Sequence, residues 1–345
     1  KVVRFMNKKK ANYLFMILMA ATTLLIIFSS ENLKDLPQLL LKTNTAYLLI
    51  AVSMMLWDWL FDGMILNIIT RTVYGNVSYF KSLKIAIIGQ YYSAITPFST
   101  GGQPVQVYLM NKDSISVAKG SLILFNKFII YQIAVTLYSL VMFILKFSFI
   151  FNEAKRAVPF VIIGFALNLG VLVGIILLFY KEEWVKPIVL HVLKFLNKAG
   201  IIKDIDKYVV KLDQSMLEYT QSVEKIKENK KSSIFLLILT FAQLTFYFSI
   251  TYFVYLALGL SGEAFIDIIA VQSLVYMAAS YIPTPGTAGA SEGGYYLLFK
   301  PLFTKNLIMY ALLLWRTISY YLRVLVTGSV TLVDYINRKR GKVIA

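Results

Sequence analysis

Two runs of proline, glycine and small polar residues, Ser93–Pro104 and Tyr281–Gly294, interrupt a chain otherwise made of long apolar stretches. Hydrophobic residues fill 58% of the 345 positions and charged residues only 15%. That leaves too little polar surface to cover a soluble globule of this size, so the chain reads as an integral membrane protein. Within a bilayer, non-helical backbone is tolerated only where protein buries it or where it lines a wet cavity. Paired interruptions therefore point to a substrate site.

The rest of the composition narrows the chemistry. The chain has no cysteine and a single histidine, His191, which removes disulfides and thiolate sites and argues against a histidine metal centre or a Ser/His triad. Neither glycine-rich run fits GxxxxGK[ST], nor GxGxxG after a strand, so no nucleotide cofactor is expected. The formal net charge is +17, but Lys and Arg fall mainly between the apolar stretches. That distribution reflects membrane topology and contact with anionic lipid, and no direct nucleic-acid partner is expected.

Apolar stretches of near-spanning length occur at roughly 12–30, 47–70, 120–145, 158–180, 233–258 and 306–332. The first follows a basic segment ending at Lys10 and lacks a clean small-x-small cleavage site, so a retained helix with a cytoplasmic N-terminus is expected. Arg71, Lys81, Lys84, Lys112 and Lys119 flank the first break, and Arg338, Arg340 and Lys342 close the chain; all read as cytoplasmic. The first break then has to dip in and return on the inner side, and the second on the outer side. The expected fold is an all-α polytopic membrane protein of about six spans plus two re-entrant hairpins, arranged as an inverted repeat. Its halves are 47–145 and 233–332, joined by a cytoplasmic connector over 181–232. In that connector Ile205, Tyr208, Leu212, Met216, Tyr219 and Val223 form one apolar helical stripe. The stripe either covers the underside of the bundle, or docks a partner or anionic lipid with the help of Lys203, Lys207 and Lys211.

Charges inside spans cost about 2.5–3.5 kcal/mol each on insertion scales, so each needs a reason. Asp58 and Asp62 stand one helical turn apart in the second span, and Lys127 and Arg316 lie within later ones. Lys127 follows Gly101 by 26 positions and Arg316 follows Gly289 by 27, so the two cations hold corresponding places in the two halves. Either carboxylate is expected to pair with Lys127 or Arg316, or the cations form a pocket for an anionic head group beside the hairpin N-termini. Arg323 shares a face with Arg316 and is expected to snorkel to lipid phosphate.

Within the breaks, Gly101, Gly102, Gly286 and Gly289 permit sharp turns, while Pro97, Pro104, Pro283 and Pro285 remove amide donors. The hydroxyls of Ser93, Thr96, Thr284 and Ser291 are then free to face a polar substrate. Glu292 either takes up a proton or a cationic group, or caps the second half-helix.

The segments Ile95–Tyr108 and Ile282–Glu292 resemble the two signature segments of the lysylphosphatidylglycerol synthase transmembrane, or flippase-like, family, which includes the membrane half of the multiple peptide resistance factor. The resemblance covers most of the chain. It implies translocation of phosphatidylglycerol, lysylated or not, across a bacterial cytoplasmic membrane, with both termini inside. It also implies that Pro97, Gly101, Gly102, Gln103, Pro283, Pro285, Gly286, Gly289, Ser291 and Glu292 belong to the substrate site. Thr287 stands where the family often has glycine. Full-length synthases add a soluble aminoacyl-transfer domain, for which no sequence remains after Ala345. The chain is therefore expected not to be a phosphatidylglycerol lysyltransferase by itself; its partners are membrane phospholipid, a separate soluble synthase and a second copy in a homodimer. A membrane-embedded transferase using Asp58, Asp62 or Glu292 as base, and a non-catalytic scaffold, are the alternatives.

Overall fold

A computed structural model describes residues 42–180, 184–198, 212, 230–304 and 307–340. The first expected span and, apart from Leu212, the apolar stripe of the connector lie outside the described residues, as do Lys203, Lys207 and Lys211. Regular structure among the described residues is entirely helical. Four stretches are long and apolar enough to cross a bilayer: Thr45–Val73, Val117–Leu145, Lys155–Gly174 and Lys231–Ala257.

Helix α1 (Thr45–Val73) opens with the Asn44 side chain accepting from the Ala46 amide at 3.0 Å. At 29 residues it is about 44 Å long, more than the roughly 30 Å of a hydrocarbon core. A short link leads into α2 (Tyr79–Ala94), which lies back along α1: Asn67 donates to Ser82 at 3.1 Å and Tyr79 to the Leu60 carbonyl at 3.0 Å. At 16 residues, about 24 Å, α2 is too short to cross. It stops at a turn, Pro97–Ser99, and α3 (Gly102–Lys112) returns the chain to the level where it started. Helix α4 (Val117–Leu145) then crosses, followed by the short α5 (Phe147–Asn152) and α6 (Val158–Tyr180). Part of the connector forms α7 (Val185–Lys198).

Helix α8 (Lys230–Ala257) runs antiparallel to α1, and its last residue accepts the Asn44 amide at 2.8 Å. It delivers α9 (Phe265–Ala279) at the opposite end from α2, where Lys146, just beyond the end of α4, pairs with Asp267. A second turn, Pro285–Thr287, leads into α10 (Ala290–Phe299). The last crossing, expected as one apolar span over 306–332, is instead three pieces. Helix α11 (Ile308–Arg316) passes through a π-helical turn, Thr317–Leu322, into α12 (Arg323–Lys339). Asp334 of α12 pairs with Lys84 of α2 at 3.4 Å, tying the far end of this rod to the base of the first hairpin.

The two hairpins thus enter from opposite ends, and their turns meet in the interior. Their sequences align without a gap, Thr96-Pro-Phe-Ser-Thr-Gly101 with Thr284-Pro-Gly-Thr-Ala-Gly289. Their backbones match as well. Thr96 and Thr284 have φ of −118° and −116°, and the next pairs, Phe98 with Gly286 and Ser99 with Thr287, all lie between 54° and 58°. Successive left-handed residues reverse the chain tightly, but cost L-residues about 1–2 kcal/mol each. Of the four, only position 286 is glycine, and there the reason is steric as well. An added Cβ would lie 2.1 Å from the Tyr320 ring.

Large apolar side chains such as Leu49, Phe80, Ile144, Ile163 and Ile234 are exposed, whereas Asp58, Glu292 and Arg316 are each 4–6% exposed. This inside-out distribution suits a hydrocarbon surround, in which the outer face needs no polar groups and ionisable ones turn inward. Close backbone approach holds the first hairpin shut: a Cβ on Gly102 would meet the Ser93 hydroxyl at 2.1 Å and the Gly89 carbonyl at 2.5 Å. Gly102→Ala is therefore expected to cost about 1–3 kcal/mol through overpacking. Gly170→Ala, where a Cβ meets open space, serves as the control. Thermal unfolding in detergent checks this, with a lowered Tm for Gly102→Ala alone.

Candidate functional site

Where the turns meet, a cavity of about 600 Å³ opens between them and helices α1, α4, α6, α8 and α9, with the π turn forming its remaining wall. Pockets of this volume accommodate small molecules or lipid head groups. Three ion pairs stand in or against its wall. Asp62 pairs with Lys127 at 2.5 Å and accepts from Gln90 at 3.1 Å. Asp58 pairs with Arg323 at 2.9 Å and accepts from Gln243 at 3.0 Å. Glu292 pairs with Arg316 at 2.5 Å.

The third pair is built into the second hairpin. Glu292 is the third residue of α10, and its other oxygen accepts the Gly289 amide at 2.7 Å, capping a helix start that lacks amide partners of its own. Arg316 donates to Glu292 and also, through Nη2, to the Gly286 carbonyl at 2.8 Å. One guanidinium thus ties both arms of the turn to α11. The Tyr320 ring lies 4.7 Å from that guanidinium, and its hydroxyl donates to the Ala94 carbonyl, the last residue of α2, at 3.2 Å. Tyr320 therefore touches both hairpins.

The expected site residues divide into two groups. Asp58, Asp62, Gln103, Lys127, Gly286, Ser291 and Arg316 line the cavity. Pro97, Gly101, Gly102, Pro283, Pro285, Gly289 and Glu292 do not; they shape the turns and half-helix starts or, in the case of Glu292, stand behind the lining. Each of the two corresponding cations has a carboxylate partner, but not the same one: Lys127 takes an acid from α1, and Arg316 the acid of its own hairpin.

Two expectations are corrected. Arg316 pairs with neither aspartate, because Glu292 sits closer on the hairpin it faces. Arg323 does not snorkel outward; it reaches Asp58 and stacks 4.9 Å from the Tyr247 ring. In a regular helix, residues seven apart share a face. The π turn between Arg316 and Arg323 breaks that register, so one arginine serves the second hairpin and the other serves α1. Sequence reading also passed over Gln90, Gln243 and the tyrosine pair Tyr131–Tyr276, whose hydroxyls are hydrogen-bonded to each other. An amide such as Gln243 within an apolar span carried the signal, since a polar group there needs a partner. Thr287 occupies a left-handed backbone position, consistent with the glycine often found there, and its hydroxyl bonds to Ser291 at 2.5 Å.

Comparison with known proteins follows this geometry. A membrane protein of Archaeoglobus fulgidus, named UPF0104 membrane protein, is 23% identical over 312 residues, which cover 88% of this chain and 92% of that protein. The sequence model of the lysylphosphatidylglycerol synthase TM region matches residues 13–327, taking in both turns, all three ion pairs and the π turn. By that match the chain belongs to the lysylphosphatidylglycerol synthase transmembrane-region family, and it is an all-α membrane protein.

Proposed function

We propose that the chain carries the polar head of an anionic or aminoacylated phospholipid, (lysyl-)phosphatidylglycerol or a close relative, from one leaflet to the other. The observation that supports this reading best is a polar cavity closed between two turns that approach from opposite ends. We read segments 47–145 and 233–332 as inverted repeats, consistent with the matched backbone of the two turns, and rocking of one against the other gives access from each side in turn. On this reading the membrane is the bacterial cytoplasmic membrane, both termini face the cytoplasm, and acyl tails stay in the bilayer while the head group crosses.

The three ion pairs suit a head group that carries both a phosphate and an amine. Phosphate competes for Lys127, amine for Asp62, and each exchange leaves no buried charge bare. A separate soluble synthase would supply the aminoacylated lipid. The matched family's description also supports a second reading, in which the chain is the membrane part of a phosphatidylglycerol lysyltransferase and needs a catalytic domain for lysyl transfer from lysyl-tRNA.

Reconstitution separates the two. Purified protein in liposomes is expected to speed leaflet exchange of fluorescent phosphatidylglycerol well above protein-free vesicles; exchange no faster than in empty vesicles would sink the transport reading. Formation of lysylated lipid on adding lysyl-tRNA to the protein alone would favour the enzyme. The ion pairs give a sharper test. Lys127→Met leaves Asp62 uncompensated and is expected to lower stability by about 3–5 kcal/mol. Adding Asp62→Asn should restore stability, measured by thermal unfolding, without restoring lipid exchange.

A further inference from the structure

Several polar atoms on residues lining the cavity have no hydrogen-bond partner among the described residues. Gln90 gives its amide N–H to Asp62 and keeps an unmatched carbonyl oxygen, Oε1. Gln272 receives a hydrogen bond from Thr251 at 2.8 Å and keeps an unmatched donor, Nε2. Ser319 Oγ and Trp315 Nε1 are likewise unmatched. Gln272, Ser319 and Trp315 are all under one-tenth exposed, so they are cut off from bulk water. A buried donor or acceptor left without a partner is costly, so each of these atoms marks a place for something else to bind.

The mixture of atoms identifies the partner. A phosphate only accepts hydrogen bonds and an ammonium only donates them, and the charged groups of the cavity already neutralise one another in pairs. Unmatched donors and an unmatched acceptor around one space call for a group that does both without charge. Hydroxyls have that property, and neighbouring aromatic faces such as those of Tyr320 and Trp315 suit the C–H edges of a polyol skeleton.

We propose that the cavity recognises the hydroxyl groups of a polyol head group, glycerol or a sugar on a lipid phosphate, and that Gln90, Gln272, Ser319 and Trp315 set this selectivity. The proposal rests on the lipid-transport reading for its source of ligand and adds to it that the polyol, rather than the charge alone, is what the site selects.

Phosphatidylglycerol and phosphatidylmethanol carry the same phosphate charge and the same tails and differ in hydroxyls. Leaflet exchange in liposomes is expected to be about tenfold faster for phosphatidylglycerol, as unfilled hydrogen-bonding positions penalise the methyl head. Equal rates for the two lipids overturn the polyol assignment while leaving transport standing. If neither lipid exchanges, the transport reading fails, and thermal stabilisation of the detergent-solubilised protein by each lipid decides the assignment separately. Greater stabilisation by phosphatidylglycerol upholds it; equal stabilisation means water alone serves the unmatched groups, and overturns it. Free glycerol and inositol distinguish the source: stabilisation by the free polyol at millimolar concentration without the lipid would overturn the lipid assignment. Ser319→Ala, a small change, is expected to narrow the preference severalfold with expression and Tm retained; an unchanged ratio removes Ser319 from the set. Gln272→Leu serves as a second variant by the same readout.

Discussion

A peptide group that leaves the helix inside hydrocarbon finds no water to bond with, and the centre of this protein is organised around that constraint. Each hairpin tip exposes the carbonyl end of one half-helix and the amide end of the next. The second tip is satisfied by a single arrangement: Glu292 takes the Gly289 amide, and Arg316 joins Glu292 to the Gly286 carbonyl. The first tip relies more on its own side chains, with Thr96 accepting the Gly101 amide at 2.8 Å, and on the Tyr320 hydroxyl from across the interface. The tips press together because each is incomplete alone. The cavity is what remains between them.

From this follows the arrangement of charge. Three acids and three bases are brought into the interior, yet each acid meets a base, so the bundle holds them without a net buried charge. The pairs also link elements far apart in sequence: Asp58 to Arg323 across the whole chain, and Lys146 to Asp267 where the second hairpin is rooted. What stabilises the closed bundle is therefore also what a charged head group would have to displace.

Much of this was legible in the sequence. Apolar stretches located α1, α4, α6 and α8, and the Pro/Gly runs located both hairpins, because hydropathy and helix-breaking residues act locally. Partner choice was less legible. That Glu292 rather than Asp58 or Asp62 meets Arg316 depends on where the second hairpin lies in space, and that Arg323 reaches Asp58 depends on a π turn that no residue of Thr317–Leu322 announces. The gapless match of Thr96–Gly101 with Thr284–Gly289 could have been read directly; only its glycines had been aligned, and the Thr-Pro start of each turn passed unused.

The π turn also governs what changes of length this chain tolerates. A π turn arises where a helix carries one residue more than regular winding holds. Removing a residue anywhere in Thr317–Leu322 would let the segment rewind as α-helix and rotate everything beyond it by about 100°. Arg323 would swing from Asp58 toward lipid, and Asp334 would lose its reach to Lys84. Along an apolar stretch where most substitutions would pass as equivalent, the number of residues is thus more tightly constrained than their identity.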